Sequence, residues 1–306
     1  MGEVHYGIKG IEDIIVDVLD YGVEIPNERT GSKTKVIFDS KIVIPETEFP
    51  FTTNLLASPR LAFEEMWFFL NGKTDTKELE EKGVNFWKGN TSREFLDARG
   101  LTHLPEGDLG TAYSKQWRDF GGDSDSEWGR VHGRVGEDQL ANLYYDLLID
   151  KYSRRHYVTL WNPVENSSGV LTPCWHSVQF VVLPDRHGND VLNLKLLNRS
   201  LDIVFGARFA IMQYRMLQMA FCKLFGFSLG TLSCDLSHIH IYENQYEYAK
   251  ELICREYSKE EDSNYIVLNK DLSTLEDLLS IEWSDWEMSY SWNKEKFINK
   301  RPEMVA

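Results

Sequence analysis

Two apolar, β-rich runs joined by a short polar stretch constrain this chain more than any other feature. The first runs from Leu171 to Phe180 and carries Cys174 near its start; the second ends in Leu197, Arg199, Ser200 and Asp202. Between them Pro184, Gly188, Asn189 and Asp190 supply the residues of a hairpin turn. A hairpin closed there brings Arg199 back beside Cys174. A free thiol titrates near about 8.5, and a neighbouring guanidinium favours the thiolate, the form that attacks electrophiles. The alternative is a cysteine that serves only as a small buried hydrophobe at a strand end, and the rest of the chain has to decide between them.

With 306 residues, 42% hydrophobic and 13% aromatic, the chain can bury a large core, expected as one domain over residues 1–306. Its net charge of -15 argues against nucleic acid or an anionic membrane as a partner, without forbidding a local basic pocket. The four cysteines, Cys174, Cys222, Cys234 and Cys254, contain no C-x-x-C pair, so neither a structural zinc nor a disulfide framework is expected. No apolar run approaches the roughly 18 residues of a membrane span, and the first residues lack a secretory pattern. A reducing, cytoplasmic setting fits these features.

Residues 11–19 read as a helix, and 26–33 as a polar loop. In that loop Arg29, Thr30 and Gly31 offer a donor fork, a hydroxyl and an approachable backbone, which suit a phosphate. Residues 61–70 read as a helix whose bulky positions want burial, yet Glu64 and Glu65 sit among them. One of the two is expected in a pocket, and Glu65 is read as the solvated one. Residues 107–118 read as a loop running into a strand, and 138–152 as an amphipathic helix with Leu140, Tyr144, Leu147 and Leu148 inward.

Arg154 and Arg155 precede a strand at 156–161. Adjacent side chains in extended chain point opposite ways, so this pair suits a second subunit better than one internal site. The longest helical pattern, 208–225, has Phe209, Met212, Met216, Ala220 and Leu224 on one face and Gly226 as its stop; the methionine stripe reads as core. His238, His240 and Tyr242 share one strand face. With no further ligand at suitable spacing, hydrogen bonding to a hydroxylated ligand is preferred there over a metal. Residues 243–257 read as helical.

Taken together, these residues resemble the thymidylate synthase and pyrimidine nucleotide hydroxymethylase superfamily, folate-dependent and with an active-site cysteine. The resemblance runs over nearly the whole chain. It is carried by Glu28 to Gly31, Glu64 to Phe68, Gly83 to Trp87, Gly107 to Gly110, Tyr113 to Arg118, Ser153 to Arg155, Trp161 to Pro163, Pro173 and Cys174, Gln179 and Phe180, Arg199, Ser200 and Asp202, and His240 with Tyr242. Residues 90–100 look like a longer insert found in some members.

The resemblance implies an α/β (α+β) domain on a large mixed sheet flanked by helices, two copies packing sheet to sheet as a homodimer. It implies 5,10-methylenetetrahydrofolate as the one-carbon donor and a pyrimidine nucleoside monophosphate as substrate. Cys174 is expected to add to C6 of the base, with Glu64, Tyr113 and Asp202 completing the catalytic set. Arg29, Arg199 and Ser200 are expected at the phosphate, joined by Arg154 and Arg155 from the other subunit, with His240 and Tyr242 at the sugar hydroxyl. Phe86, Trp87, Asp202 and Phe209 are expected at the folate.

One helix departs from the family pattern. Where thymidylate synthases read Gly-x-Pro-Phe-Asn, this chain has Gly206, Ala207, Arg208, Phe209 and Ala210, and a methyl at Ala210 cannot distinguish a carbonyl from an amine. Trp175 and Asn198 also depart, and the stretch from Asp202 to Arg208 looks like the phage dCMP hydroxymethylases. The leading expectation is therefore a dCMP or dUMP hydroxymethylase. A methylating thymidylate synthase (dUMP to dTMP) is the alternative, and a silent binding protein comes third. His176 is a candidate base reader only if it faces inward.

Overall fold

The computed structural model describes residues 3–27, 31–55, 57–122, 135–258 and 264–302. A mixed eight-stranded sheet organises them. Strand β1 (Val4–Tyr6) leads into helix α1 (Gly10–Tyr21), and the hairpin of β2 (Val23–Asn27) and β3 (Ser32–Ile44) follows. Helices α2 (Pro59–Leu70), α3 (Lys77–Glu81), α4 (Arg93–Ala98), α5 (Tyr113–Arg118) and α6 (Gln139–Ile149) come next. The sheet then resumes with β4 (Tyr157–Thr159), β5 (Trp175–Pro184), β6 (Asp190–Asn198) and β7 (Leu201–Asp202). Helix α7 (Gly206–Phe225) leads to β8 (Ser228–Tyr242) and α8 (Tyr246–Cys254), and β9 (Tyr265–Leu268), α9 (Leu275–Leu279) and β10 (Trp286–Ser289) close the chain.

The strand order is β1-β3-β8-β6-β5-β4, with β2 on β3 and β7 on β8. Period-two alternation sets which face is covered. Val178, Phe180 and Val182 on β5, Leu192, Leu194 and Leu196 on β6, and Leu232, Cys234 and Leu236 on β8 are all buried. Each fully buried aliphatic or phenyl side chain contributes about 1.5–3 kcal/mol relative to exposure. The opposite face carries Lys41, Lys195 and Asp235, whose ion pairs measure 3.4 and 2.5 Å.

Helix α7 lies on the buried face, with Met212, Met216 and Ala220 wholly inaccessible. It stops where expected: Gly226 adopts φ +71° and returns its N–H to the Cys222 carbonyl, a left-handed cap that glycine enters without a Cβ penalty. Helix α1 buries Ile11, Ile14, Ile15 and Val18, as its spacing predicts.

Two expectations are corrected. Residues 113–118 form a helix rather than a strand, because Tyr113 and Trp117, four apart, fall on one helical face against the core. On α6 the buried set is Leu140, Leu143 and Leu147; Leu148, one residue and about 100° further round, is 57% exposed, and Tyr144 is only half-buried. Among the described residues no helix is long and apolar enough to cross a membrane.

Candidate functional site

The hairpin of β5 and β6 closes around a turn in which Asp185 and Asn189 exchange hydrogen bonds, and its register sets Trp175 opposite Asn198. Arg199 thereby returns beside Cys174, its backbone N–H donating to the Cys174 carbonyl at 3.0 Å. The guanidinium donates to the carbonyls of Pro173 and Thr172 at 2.9 and 2.7 Å, and Nη2 stands 3.9 Å from Cys174 Sγ. It also covers the ring of Trp161 at 5.5 Å. The loop bearing the thiol is thus tied to the cation that faces it.

On the other side, the Cys174 N–H donates to the Tyr113 hydroxyl at 2.8 Å. Tyr113 stacks on Phe69, and burial holds its phenol well above the ordinary tyrosine range. Burial likewise pushes the Cys222 thiol up to about 12, and that of Cys234 up as well, so these two are inert core groups. Cys174 is half-buried.

These groups open onto a cavity of about 810 Å³, in the upper part of the roughly 300–1,000 Å³ range of small-molecule sites. Of the residues expected from sequence, Phe86, Trp87, Tyr113, Cys174, Arg199, Ser200, Asp202, Phe209, Ala210, His240 and Tyr242 line it. At one end β7 lies parallel to β8, pairing Asp202 with His240, so the alternation of His238, His240 and Tyr242 is turned toward the cavity. Asp202 Oδ1 accepts from the N–H groups of Val204 and Phe205 at the start of α7, and Oδ2 accepts from Gln245 Nε2 at 2.8 Å. Burial still raises its carboxyl above the ordinary value.

The opposite wall is helical and corrects the reading of α2. The pocket carboxylate is Glu65, not Glu64. Glu65, Met66 and Phe69 share the face that α2 turns to the cavity, whereas Glu64, one residue and about 100° away, ion-pairs with Lys82 at 2.6 Å. Glu65 accepts from Trp87 Nε1 at 2.6 Å and from Gln213 Nε2 at 2.5 Å. Burial outweighs both donors and pushes its carboxyl up to about 7. A group of that kind holds and releases protons at neutral pH.

Phe86 packs on Phe209 with ring centroids 4.7 Å apart, and Ala210 presents a methyl beside them. His176 does not line the cavity; it pairs with Ser177 Oγ and faces Trp161, and burial and the Arg199 charge keep its imidazole below the ordinary value. Arg154 and Arg155 are exposed, outside the cavity, in the segment before β4. Arg29 lies outside the described residues.

Sequence reasoning missed Gln213, Tyr214, Gln245, Arg99 and Arg301 as well as Glu65. Gln213 and Tyr214 were accessible from spacing, since they continue the face of Gly206, Phe209 and Ala210 at helical intervals. Arg301, whose guanidinium covers the Phe205 ring at 4.9 Å, sits in an irregular tail whose sequence pattern marks no partner.

A family model described as thymidylate synthase matches residues 9–295. The chain is 34% identical over 279 residues to the thymidylate synthase of Candida albicans, covering 83% of this chain and 87% of that protein. It is 34% identical to the thymidylate synthase of Agaricus bisporus, with coverages of 79% and 83%. It is also 32% identical to the bifunctional dihydrofolate reductase-thymidylate synthase of Zea mays, where it spans 79% of its own length and 45% of that longer protein. With a family-wide match laid over a cavity that joins a cysteine, an arginine and a buried carboxyl, the chain belongs to the thymidylate synthase family, one-carbon transferases whose donor is 5,10-methylenetetrahydrofolate.

Proposed function

We propose that the chain methylates dUMP to dTMP. The observation that carries this reading is the Cys174 thiol held 3.9 Å from Arg199 at the mouth of a cavity that also holds Glu65. The names of the relatives favour methylation over the hydroxymethyl transfer that Ala210 suggested.

The thiolate of Cys174 adds to C6 of the pyrimidine, forming the S–C bond and moving the C5–C6 electron pair toward C5 and the O4 carbonyl. C5 then becomes the nucleophile. Arg199, paired to its own loop through two carbonyls, keeps a third face for anions and lowers the cost of the thiolate. Glu65, poised near neutrality, exchanges protons with the base and its surroundings. Tyr113 fixes the Cys174 backbone and assists removal of the C5 proton. Ser200 and Arg199 take the phosphate together with Arg29, and His240 and Tyr242 hold the sugar hydroxyl. Ala210 lies where the base is read.

The cavity suits a fused bicyclic donor: Phe86, Phe209 and Trp87 form aromatic walls, and the buried Asp202 carboxyl lies beside them. When bound there, 5,10-methylenetetrahydrofolate supplies the one-carbon unit and, for methylation, the reducing hydride.

Two copies of the chain are proposed to pack through the second face of the sheet. Tyr157, Val181, Leu183, Val191 and Leu197 share that face and are all partly or well exposed. Arg154 and Arg155 stand next to Tyr157 and are proposed to reach the phosphate in the neighbouring copy. An Arg154→Ala/Arg155→Ala chain mixed with a Cys174→Ser chain is then expected to regain activity in verified heterodimers, and no recovery excludes shared sites.

Hydroxymethyl transfer remains the second reading because of Ala210. Mass spectrometry of the nucleotide formed from dUMP and from dCMP with 5,10-methylenetetrahydrofolate separates the two. A methyl on dUMP, with dihydrofolate appearing in the near ultraviolet, is expected; a hydroxymethyl group on either nucleotide overturns the methylation reading.

A further inference from the structure

We propose that Gln213 reads the pyrimidine edge in this chain, doing what the methyl of Ala210 cannot; the proposal rests on the pyrimidine nucleotide reading above. Helix α7 turns Gly206, Phe209, Ala210, Gln213 and Tyr214 to the cavity, and among these Gln213 is the one carboxamide. The O4/N3 edge of a pyrimidine sets one acceptor beside one donor, or the reverse. A carboxamide carries both complements side by side whatever the pH.

What makes a carboxamide discriminating is a fixed orientation, since a freely turning amide accepts either edge. Gln213 is fixed. Its side chain is buried, and Nε2 donates to Glu65 Oε2 at 2.5 Å. The nitrogen of the amide, not the oxygen, faces Glu65, and while that carboxyl is ionised it only accepts, which fixes this orientation. Glu65 is in turn held by Trp87 Nε1 at 2.6 Å, which keeps the whole chain of bonds in register. The amide oxygen of Gln213 accepts no hydrogen bond among the described residues, so it and the second N–H remain for a ligand.

Turning the amide over to suit the wrong base breaks the bond to the ionised form of Glu65. Uracil presents N3–H beside O4, and cytosine presents N3 beside an amine, so the two bases ask for opposite orientations. Two other polar groups on the cavity are less suited. Asp202 already spends its oxygens on Val204, Phe205 and Gln245, and the Tyr113 oxygen is engaged by the Cys174 N–H.

The test is titration calorimetry of the intact protein with dUMP, with dCMP and with deoxyribose 5-phosphate as a base-free probe. In Gln213→Met, which keeps length and loses both polar atoms, the preference for dUMP over dCMP is expected to fall roughly tenfold to a hundredfold. Affinity for deoxyribose 5-phosphate is expected to stay as in the wild type. Gln213→Asn, one methylene short of the same reach, is expected to lose the preference too. Glu65→Gln, which offers the amide an oxygen or a nitrogen equally, is expected to weaken it. An unchanged preference in a variant that still binds deoxyribose 5-phosphate overturns the role of Gln213 and leaves the methylation reading standing. Loss of the base-free probe in both Gln213 variants marks a structural role and also overturns it. A wild-type protein that binds neither nucleotide more tightly than the base-free probe overturns the nucleotide reading along with it.

Discussion

The strand-built and helix-built walls of the cavity hold their side chains by different rules. On the β5–β6 side, position follows from a period of two, one turn and one register shift: once Asp185 to Asn189 closes, the irregularity between Trp175 and Ser177 sets Trp175 opposite Asn198 and Arg199 beside Cys174. On the side of α2 and α7, neighbouring residues differ by about 100° in direction, and two adjacent glutamates point to two different environments. Strand register therefore conveys a site residue faithfully, while a helix conveys it only once its rotation about its own axis is known. Departures from the family pattern fall on both walls, at Ala210 on α7 and at Trp175 on β5, and both line the cavity.

The largest expected effect tests the strand wall. Cys174→Ser should lower turnover on the order of ten-thousandfold or more, while dUMP binding stays measurable because Arg199 and Ser200 do not depend on the sulfur. Substituting Cys222, Cys234 or Cys254 should cost stability at most. Substantial turnover in Cys174→Ser, measured as tritium release from C5 of labelled dUMP, removes the strand wall from the chemistry.

The next effect tests the helix wall. Glu65→Gln should lower kcat by roughly a hundredfold to ten-thousandfold, with a much smaller change in the Kd for dUMP. If Glu65→Gln turns over normally, the buried carboxyl is a structural partner of Trp87 and Gln213 and nothing more.

Much of this arrangement was legible in the sequence, for identifiable reasons. The alternation at Val178, Phe180 and Val182, the stop at Gly226 and the pairing of Cys174 with Arg199 all follow from local pattern, and the structure has each. The choice between Glu64 and Glu65 was not legible, because both sit among bulky apolar residues and only the packing of α2 against α7 and Trp87 fixes the rotation of the helix. The same holds for Leu148, a one-residue error in the phase of α6. Arg301 reaches the cavity from the far end of the chain, through contacts whose sequence separation exceeds any local pattern.

A third measurement uses the raised carboxyl of Glu65 as a probe of its burial. Its value rises from 4.5 unfolded to about 7 folded, so the folded state binds the proton more tightly. The contribution to stability is complete below about pH 4.5 and is lost as pH rises through about 7, flattening above. Between about pH 5 and pH 8 the wild type should lose about 2–3 kcal/mol relative to Glu65→Gln in chemical denaturation. Equal pH slopes in the two proteins mean that Glu65 is solvated in the folded state.

The smallest effect belongs to Glu64, and it isolates rotation about the helix axis from everything else. Its carboxylate meets Lys82 at 2.6 Å, with the lysine side chain 54% exposed, so the pair is largely screened by solvent. A partly exposed pair of this kind contributes up to about 1 kcal/mol. Glu64→Gln should therefore change unfolding free energy by no more than that, and kcat by less than about threefold, since the side chain does not face the cavity. The comparison with Glu65→Gln is a contrast between adjacent positions of equal chemistry, made in one helix. A Glu64→Gln variant as impaired in kcat as Glu65→Gln means that α2 turns during the reaction, bringing the second carboxylate inward, and the two walls then differ in motion as well as in geometry.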